Sequence, residues 1–236
     1  MVPRTQDGAA RLSDGARAAS PICLGYLPVG LAFGVLAQKA GLSAGQIGLM
    51  SAVVFAGSSQ FTALLLLGQG AALPSVVATT FVVNLRHLLM SSALAAPLHG
   101  IGARFSALFG HGITDETFAV NLVRFRGSGW DPLRALSVNL VSQAAWVASS
   151  VAGTFAGQFV PRGALGIDYA LPAMFLCLLV LQIRSRVHAL VALLSGILAA
   201  VVYVAVPGNS HVIAASVAAS LAGLVVLRRQ AARAAP

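Results

Sequence analysis

A bundle of membrane-spanning α-helices is the fold this chain predicts, and three observations predict it. Of 236 residues, 58% are hydrophobic and only 9% are charged, against roughly 25% charged in soluble domains. The mean hydropathy is +0.86. The apolar residues come in runs of about twenty, the length that crosses a hydrocarbon core as a helix, and not in the alternating segments of about ten that build a β-barrel. The lipid bilayer is therefore the expected solvent. The net charge of +9 is carried by arginines scattered between the runs rather than clustered with aromatics, which argues against a nucleic-acid partner. Cys23 and Cys177 lie inside apolar runs, with no CxxC and no Cys/His cluster. No metal site, cofactor or structural disulfide is expected.

Residues 1–19 mix Arg, Asp, Gly and Ser and read as a short cytoplasmic tail. Eight runs follow, at about 20–38, 46–68, 73–97, 105–123, 135–159, 168–183, 187–206 and 210–227. They make one transmembrane domain over 20–227, closed by a basic tail at 228–236. With the N-terminus inside, eleven basic residues fall on the cytoplasmic side: Arg4, Arg11, Arg17, Arg124, Arg126, Arg134, Arg184, Arg186, Arg228, Arg229 and Arg233. Three fall outside, namely Lys39, Arg104 and Arg162. That bias favours both termini inside and an even number of spans. Seven spans would require one re-entrant run, with the fourth or the short sixth as candidates.

The first run carries Gly25, Pro28, Gly30 and Gly34. The Gly30/Gly34 spacing lets another helix approach closely, while the Gly/Pro content also allows a broken helix lining a cavity. The second run holds Phe55-Ala56-Gly57-Ser58-Ser59-Gln60-Phe61, where small and polar residues mid-run point to a helix break or a close crossing. The third run reaches from about Leu73 to Pro97, yet its middle contains Asn84, Arg86 and His87. An ionised arginine at bilayer depth costs at least ~2.5–3.5 kcal/mol and normally faces a polar cavity or a partner.

The partners on offer lie in the fourth run, at Thr114-Asp115-Glu116-Thr117. Adjacent residues point about 100° apart on a helix, so the two acids cannot serve one cation equally. One is expected to pair with Arg86 and the other to titrate or to sit near a helix N-terminus, where Thr114 or Asp115 would cap. The alternative is an external loop with both acids solvated. In the fifth run Asn139 and Gln143 share one face, and Gly153 and Gly157 repeat the small-residue spacing. The sixth run, with Asp168, Tyr169 and Pro172, places Tyr and Leu-Pro near its start as the first run does. The last two runs are almost wholly Ala, Val and Leu and read as scaffold.

Five motifs in order, Gly25-Tyr26-Leu27-Pro28-Val29-Gly30 through Gly34, Phe55 through Phe61, Asn84-Leu85-Arg86-His87, Thr114 through Phe118 and Asp168 through Pro172, resemble the AzlC family. Its members are large subunits of bacterial branched-chain amino acid permeases or exporters. The resemblance extends from about Ser20 to Leu227. It implies a multi-pass transporter of the cytoplasmic membrane that moves leucine, isoleucine or valine outward, with a separately encoded small membrane subunit of the AzlD type.

The residues support a site of matching chemistry. A zwitterion needs a cation or helix N-terminus for its carboxylate and an acceptor for its ammonium. Arg86 is the candidate for the first; Asp115 or Glu116 for the second. Asn84, Ser58, Ser59 and Gln60 are candidate hydrogen-bonding groups, and Asp115, Glu116 and His87 are candidate carriers of a coupling proton. Gly25, Pro28, Gly30, Gly34, Gly57 and Pro172 are the expected break or packing positions. Three other readings compete. Arg86 and the acids would form a purely structural ion pair, the chain would be a passive channel, or it would be an intramembrane enzyme, for which no HExxH or GxSxG is present. Methionine and other apolar amino acids remain alternative substrates.

Overall fold

The computed structural model describes residues 8–127, 129–159 and 186–205, together with 176, 179, 180, 183, 218, 219 and 221–225. Asp168, Pro172 and Cys177 lie outside the described residues, as does most of the sixth and eighth runs. The elements are α1 (Gly8–Lys39), α2 (Ala44–Val53), α3 (Gly57–Gly68), α4 (Leu73–Ala93), a 3-10 turn (Ala96–Leu98), α5 (Ala103–His111), α6 (Asp115–Phe125), α7 (Pro132–Ala156) and α8 (Arg186–Ala205). Three of them, α1, α4 and α7, are long and apolar enough to cross a membrane.

Helices α1 and α7 form the spine, and they run parallel. A side chain on Gly15 would strike Arg134 O and Ser137 near the start of α7, one on Gly30 would strike Ser149, and one on Gly34 would strike Ser150 O and Thr154 N near its end. Gly153 returns the contact by packing on Leu31 O. The small residues therefore serve backbone-to-backbone approach, the usual basis of helix pairing in lipid. Pro21 and Pro28 do not break α1. Pro21 has no N–H for Arg17 O, and the Ser20 hydroxyl takes that role at 2.8 Å. The continuation of α1 back to Gly8 runs through the segment expected as a tail. Ala19 is fully buried, and Ser137 Oγ donates to Leu12 O at 2.7 Å.

The second and fourth runs do not cross. Each forms a hairpin of two half-length helices. Gln60 Nε2 donates to Ser51 Oγ at 3.1 Å, and Met50 packs beside Ala63 and Leu66. A continuous helix would hold residues 51 and 60 about 13 Å apart, so α3 must return alongside α2. In the same way Phe105 and Phe109 of α5 share one apolar cluster with Phe118, Leu122 and Phe125 of α6. Helices of 10 and 12 residues, or of 9 and 11, are about 14–18 Å long and reach only the middle of a 30 Å core.

The two hairpins enter from opposite ends. Phe61 of α3 meets Phe33, toward the Lys39 end of α1. Val123 of α6 shares a pocket with Asp14 and Ala18, toward the Gly8 end. Two of the eight expected crossings are therefore re-entrant: the fourth run, whose re-entry was one of the expected alternatives, and the second, expected as a broken or closely crossed span. One consequence corrects the charge map. Arg104, expected beside Lys39, opens α5 and so lies at the same end as Arg11, Arg17, Arg124, Arg126 and Arg134, because α5 enters the bundle from that end.

Local chemistry explains the element boundaries. Ser43 and Gln46 form a capping box at α2, and Thr114 with Thr117 forms one at α6. Between α3 and α4 the chain turns at Gly70 with φ +72, a left-handed conformation that favours glycine. Asp131 caps α7, accepting from Leu133 N at 2.9 Å and Arg134 N at 3.2 Å, while Arg11 Nη2 donates at 2.7 Å.

Burial opposes ionisation of Asp131, but the hydrogen bonds from Arg11 and from the two amides prevail and hold its carboxyl at about 2. A depressed carboxyl contributes stability that is fully present above its ordinary value of 3.8 and is lost as pH falls from there toward about 2. Asp131→Ala is expected to cost about 0.5–2 kcal/mol, and Asp131→Asn less, because asparagine keeps the cap and loses only the ion pair. Thermal melts at neutral pH check this; three indistinguishable curves would refute it.

Candidate functional site

The two hairpin tips, residues 54–56 and 112–114, meet halfway along α1 and α7. Four backbone ends converge there, and their hydrogen-bonding differs in a telling way. Among the described residues the end of α2 leaves Ala52 O without a backbone donor, and at the end of α5 Phe109 O receives only the Gly112 N–H, at 3.2 Å, so each has room for a side-chain donor. Helix α7 supplies both donors from one face: Asn139 Nδ2 donates to Phe109 O at 2.9 Å, and Gln143 Nε2 donates to Ala52 O at 2.8 Å. His111 Nε2 lies 3.0 Å from Ala52 O and from Gln143 Nε2, tying one tip to the other.

The starts of α3 and α6 present N–H groups and the positive ends of helix dipoles. Helix α6 is fully compensated by the Thr114 cap and by Asp115 and Glu116 in its first turn. At α3 the capping position is Ala56, which offers no side-chain acceptor.

Beside these two helix starts lies a cavity of about 210 Å³. Arg86, His87, Ser58, Thr114, Asp115 and Glu116 supply its polar wall; Ile22, Val29, Phe55 and Trp146 supply its apolar wall. Arg86 bridges the hairpins, with Nη1 2.7 Å from Asp115 Oδ2 and Nη2 donating to Ser58 Oγ at 2.6 Å. This ion pair is not sealed: the side chains of Arg86 and Asp115 are 31% and 48% exposed. Among the described residues, Arg86 Nε and His87 Nε2 are buried and have no hydrogen-bond partner. Most buried polar atoms are satisfied, so two unspent nitrogens on residues of the cavity wall make it the candidate binding site.

The adjacent acids part company, as their 100° separation requires. Asp115 goes to Arg86, whereas Glu116 Oε2 accepts from Tyr26 OH at 2.7 Å. With its proton committed to Glu116, Tyr26 O is left to accept from Thr114 Oγ1 at 2.8 Å. Tyr26 is locked edge-on against Phe55 and Trp146, with ring centroids 6.0 and 5.3 Å away. Tyr26 and Trp146 were not among the expected site residues. Tyr26 stood inside a motif read for its glycines, and nothing in the local sequence marks a tyrosine as the partner of a glutamate ninety positions away.

The other expected residues stand behind the wall. Ser59 Oγ donates to Asn84 Oδ1, joining α3 to α4. Gln60 is fully buried, donating to Ser51 and accepting from Trp146 Nε1 at 2.8 Å. Gly57 lets the tip rest on Trp146, whose ring would lie 3.1 Å from an added Cβ. Gly25 instead opens onto the cavity, and a Cβ there would meet nothing within 4 Å. Among the described residues no group of His, Cys, Asp and Glu could hold a metal ion.

Opposed half-helices around a charged cavity at mid-depth define an integral membrane transport protein. The AzlC protein family model matches residues 21–160, which include both hairpins and the whole cavity wall. The chain belongs to the AzlC family. Among its relatives, the inner membrane protein YgaZ of Escherichia coli is 29% identical over 87% of each chain. A membrane protein of Archaeoglobus fulgidus is 33% identical over 85% of this chain and 89% of its own. The branched-chain amino acid transport protein AzlC of Bacillus subtilis is 29% identical over 89% of this chain and 82% of its own. No solved structure matches the chain.

Proposed function

We propose that this protein exports leucine, isoleucine and valine across the bacterial cytoplasmic membrane, as the large subunit of a two-component system with a small AzlD-type membrane subunit. The observation that carries the reading is the cavity: its polar groups divide into a cationic half and an anionic half, facing an apolar wall. The amino acid carboxylate binds Arg86 and the uncapped start of α3, where the Gly57 and Ser58 amides and the helix dipole add to the guanidinium. The ammonium binds the Asp115/Glu116 side. The branched side chain packs on Ile22, Val29, Phe55 and Trp146. The small volume suits this class, since drug-sized ligands need roughly 300–1,000 Å³.

Substrate entry requires Arg86 to exchange its bond to Asp115 or Ser58 for the carboxylate, which loosens the bridge between the hairpins. Glu116, released from Tyr26, is the group that takes up a coupling proton. Both termini lie in the cytoplasm, which puts the arginine-rich end of the bundle there, in keeping with the bias of basic residues toward that side. The sequence similarity to the branched-chain amino acid transport protein of Bacillus subtilis supports the same class of cargo.

Efflux of labelled leucine, isoleucine and valine from cells expressing the chain, with and without the small subunit and with an uncoupler, tests this. Efflux that needs both subunits and collapses with the proton gradient is the expected result; retention of all three amino acids, with both proteins in the membrane, would refute the cargo. Gly25→Val sharpens the test, because its Cβ enters open space and adds bulk at the cavity. Leucine efflux is expected to fall about 10-fold or more, the effect of a methylene or more in a tight apolar pocket, while smaller alanine is spared. Equal loss for both would place Gly25 outside the specificity wall.

A further inference from the structure

A second pocket, of about 500 Å³, opens at the arginine-rich end between the first turns of α1, the end of α6 and the loop leading into α7. Asp14, Arg17, Arg124, Trp130 and Arg134 line it, with exposed Val123 on its rim. Its charges do not cancel. Arg134 pairs with Asp14 and Asp131, and Arg11 pairs with Asp131. Two cations against two carboxylates leave that network neutral and rigid. Arg17 and Arg124 meet no carboxylate among the described residues, so the pocket holds two uncompensated positive charges. Arg124 is nevertheless placed: its guanidinium lies 5.2 Å from the centre of the Trp130 ring, and Trp130 Nε1 donates to Asn121 Oδ1 at 3.3 Å. Cation–π stacking fixes the guanidinium plane without consuming its donors.

We propose that this pocket binds the phosphate of an anionic phospholipid headgroup, with Arg17 and Arg124 as the two claws and the Asp14–Arg134–Asp131–Arg11 network as the base that positions them. Several features specify a lipid. The pocket lies where the apolar part of α1 begins. It carries a tryptophan, a residue enriched at membrane interfaces. Its rim at Val123 is apolar and uncovered, which gives an acyl chain a path down the bundle. Basic pockets between transmembrane helices are built for such headgroups. A lipid seated here would bridge α1 to the α5–α6 hairpin and brace one of the two half-helix tips. The proposal does not depend on the identity of the transported molecule.

The test is a binding titration of the purified full chain by native mass spectrometry with phosphatidylglycerol, phosphatidylcholine and inorganic phosphate. Phosphatidylglycerol is expected to bind, and phosphatidylcholine far more weakly. Each arginine near a membrane surface contributes roughly a fivefold factor in affinity, so Arg17→Gln/Arg124→Gln is expected to weaken phosphatidylglycerol about thirtyfold. Arg104→Gln, at the same end but outside the pocket, is expected to leave it unchanged. Arg17→Lys/Arg124→Lys guards against a misfolded double variant, since it keeps the charge and is expected to keep most of the binding. Inorganic phosphate that competes fully with phosphatidylglycerol, with the same arginine dependence, would assign the pocket to a soluble phosphate and overturn the lipid source. Phosphatidylglycerol affinity unmoved in a folded Gln/Gln variant would overturn the site itself.

Discussion

Arg86→Lys is expected to leave the protein folded in the membrane and to lower amino acid efflux by about 100-fold or more. Lysine keeps the charge but is a point donor, and it cannot span from Asp115 to Ser58 while turning a planar edge toward a carboxylate. Hydrogen bonds to charged groups are worth about 1.5–3 kcal/mol, which sets that scale. Arg86→Ala goes further, because it strands Asp115 without its cation and is expected to destabilise the hairpin contact as well. A purely structural ion pair makes a different forecast: the neutral pair Arg86→Met/Asp115→Asn would then recover transport, since helix register needs no guanidinium. Normal efflux from a well-expressed Arg86→Ala protein would eliminate a binding role for this residue.

The second large effect falls on the spine. Gly34→Val is expected to prevent α1 from docking on α7, with loss of a monodisperse peak in detergent chromatography. Its Cβ would lie 2.0 Å from Ser150 O and 2.8 Å from Thr154 N, both backbone atoms that no rotamer change can move. Overpacking of a well-packed core costs about 1–3 kcal/mol when side chains can yield, and here the helices themselves must separate. Gly25→Ala, one cavity-facing position on the same helix, is expected to be silent in that assay. Wild-type behaviour of Gly34→Val would mean that α1 and α7 are further apart than the structure has them.

The candidate site was partly legible beforehand. Arg86 within an apolar run demanded a partner, and Asp115 is that partner. The angular argument that adjacent acids must diverge also holds, with Glu116 turning to Tyr26. Ser59, Gln60 and Asn84 show the limit of reading polarity as function. Each is polar inside an apolar run, yet in the structure each is spent on a neighbouring helix, and Ser58 alone of its triplet lines the cavity. A helix places successive residues on different faces, so adjacency to a site residue does not predict a share in the site.

What the sequence determined by itself is the solvent, the helical class, the places where helices must break or crowd, and the charged centre. Those properties follow from composition, from run length and from the energetic cost of an arginine in lipid, all of which are local. What only the tertiary structure decided is direction: that the second and fourth runs go halfway and return, and that Arg104 therefore lies with the other arginines. A half-helix in lipid is as apolar as half a span, so hydropathy cannot tell a crossing from a hairpin. The difference lies in whether the carbonyls at the break find side-chain donors, and those donors, Asn139 and Gln143, stand on α7, thirty and ninety-one residues from the carbonyls they bond.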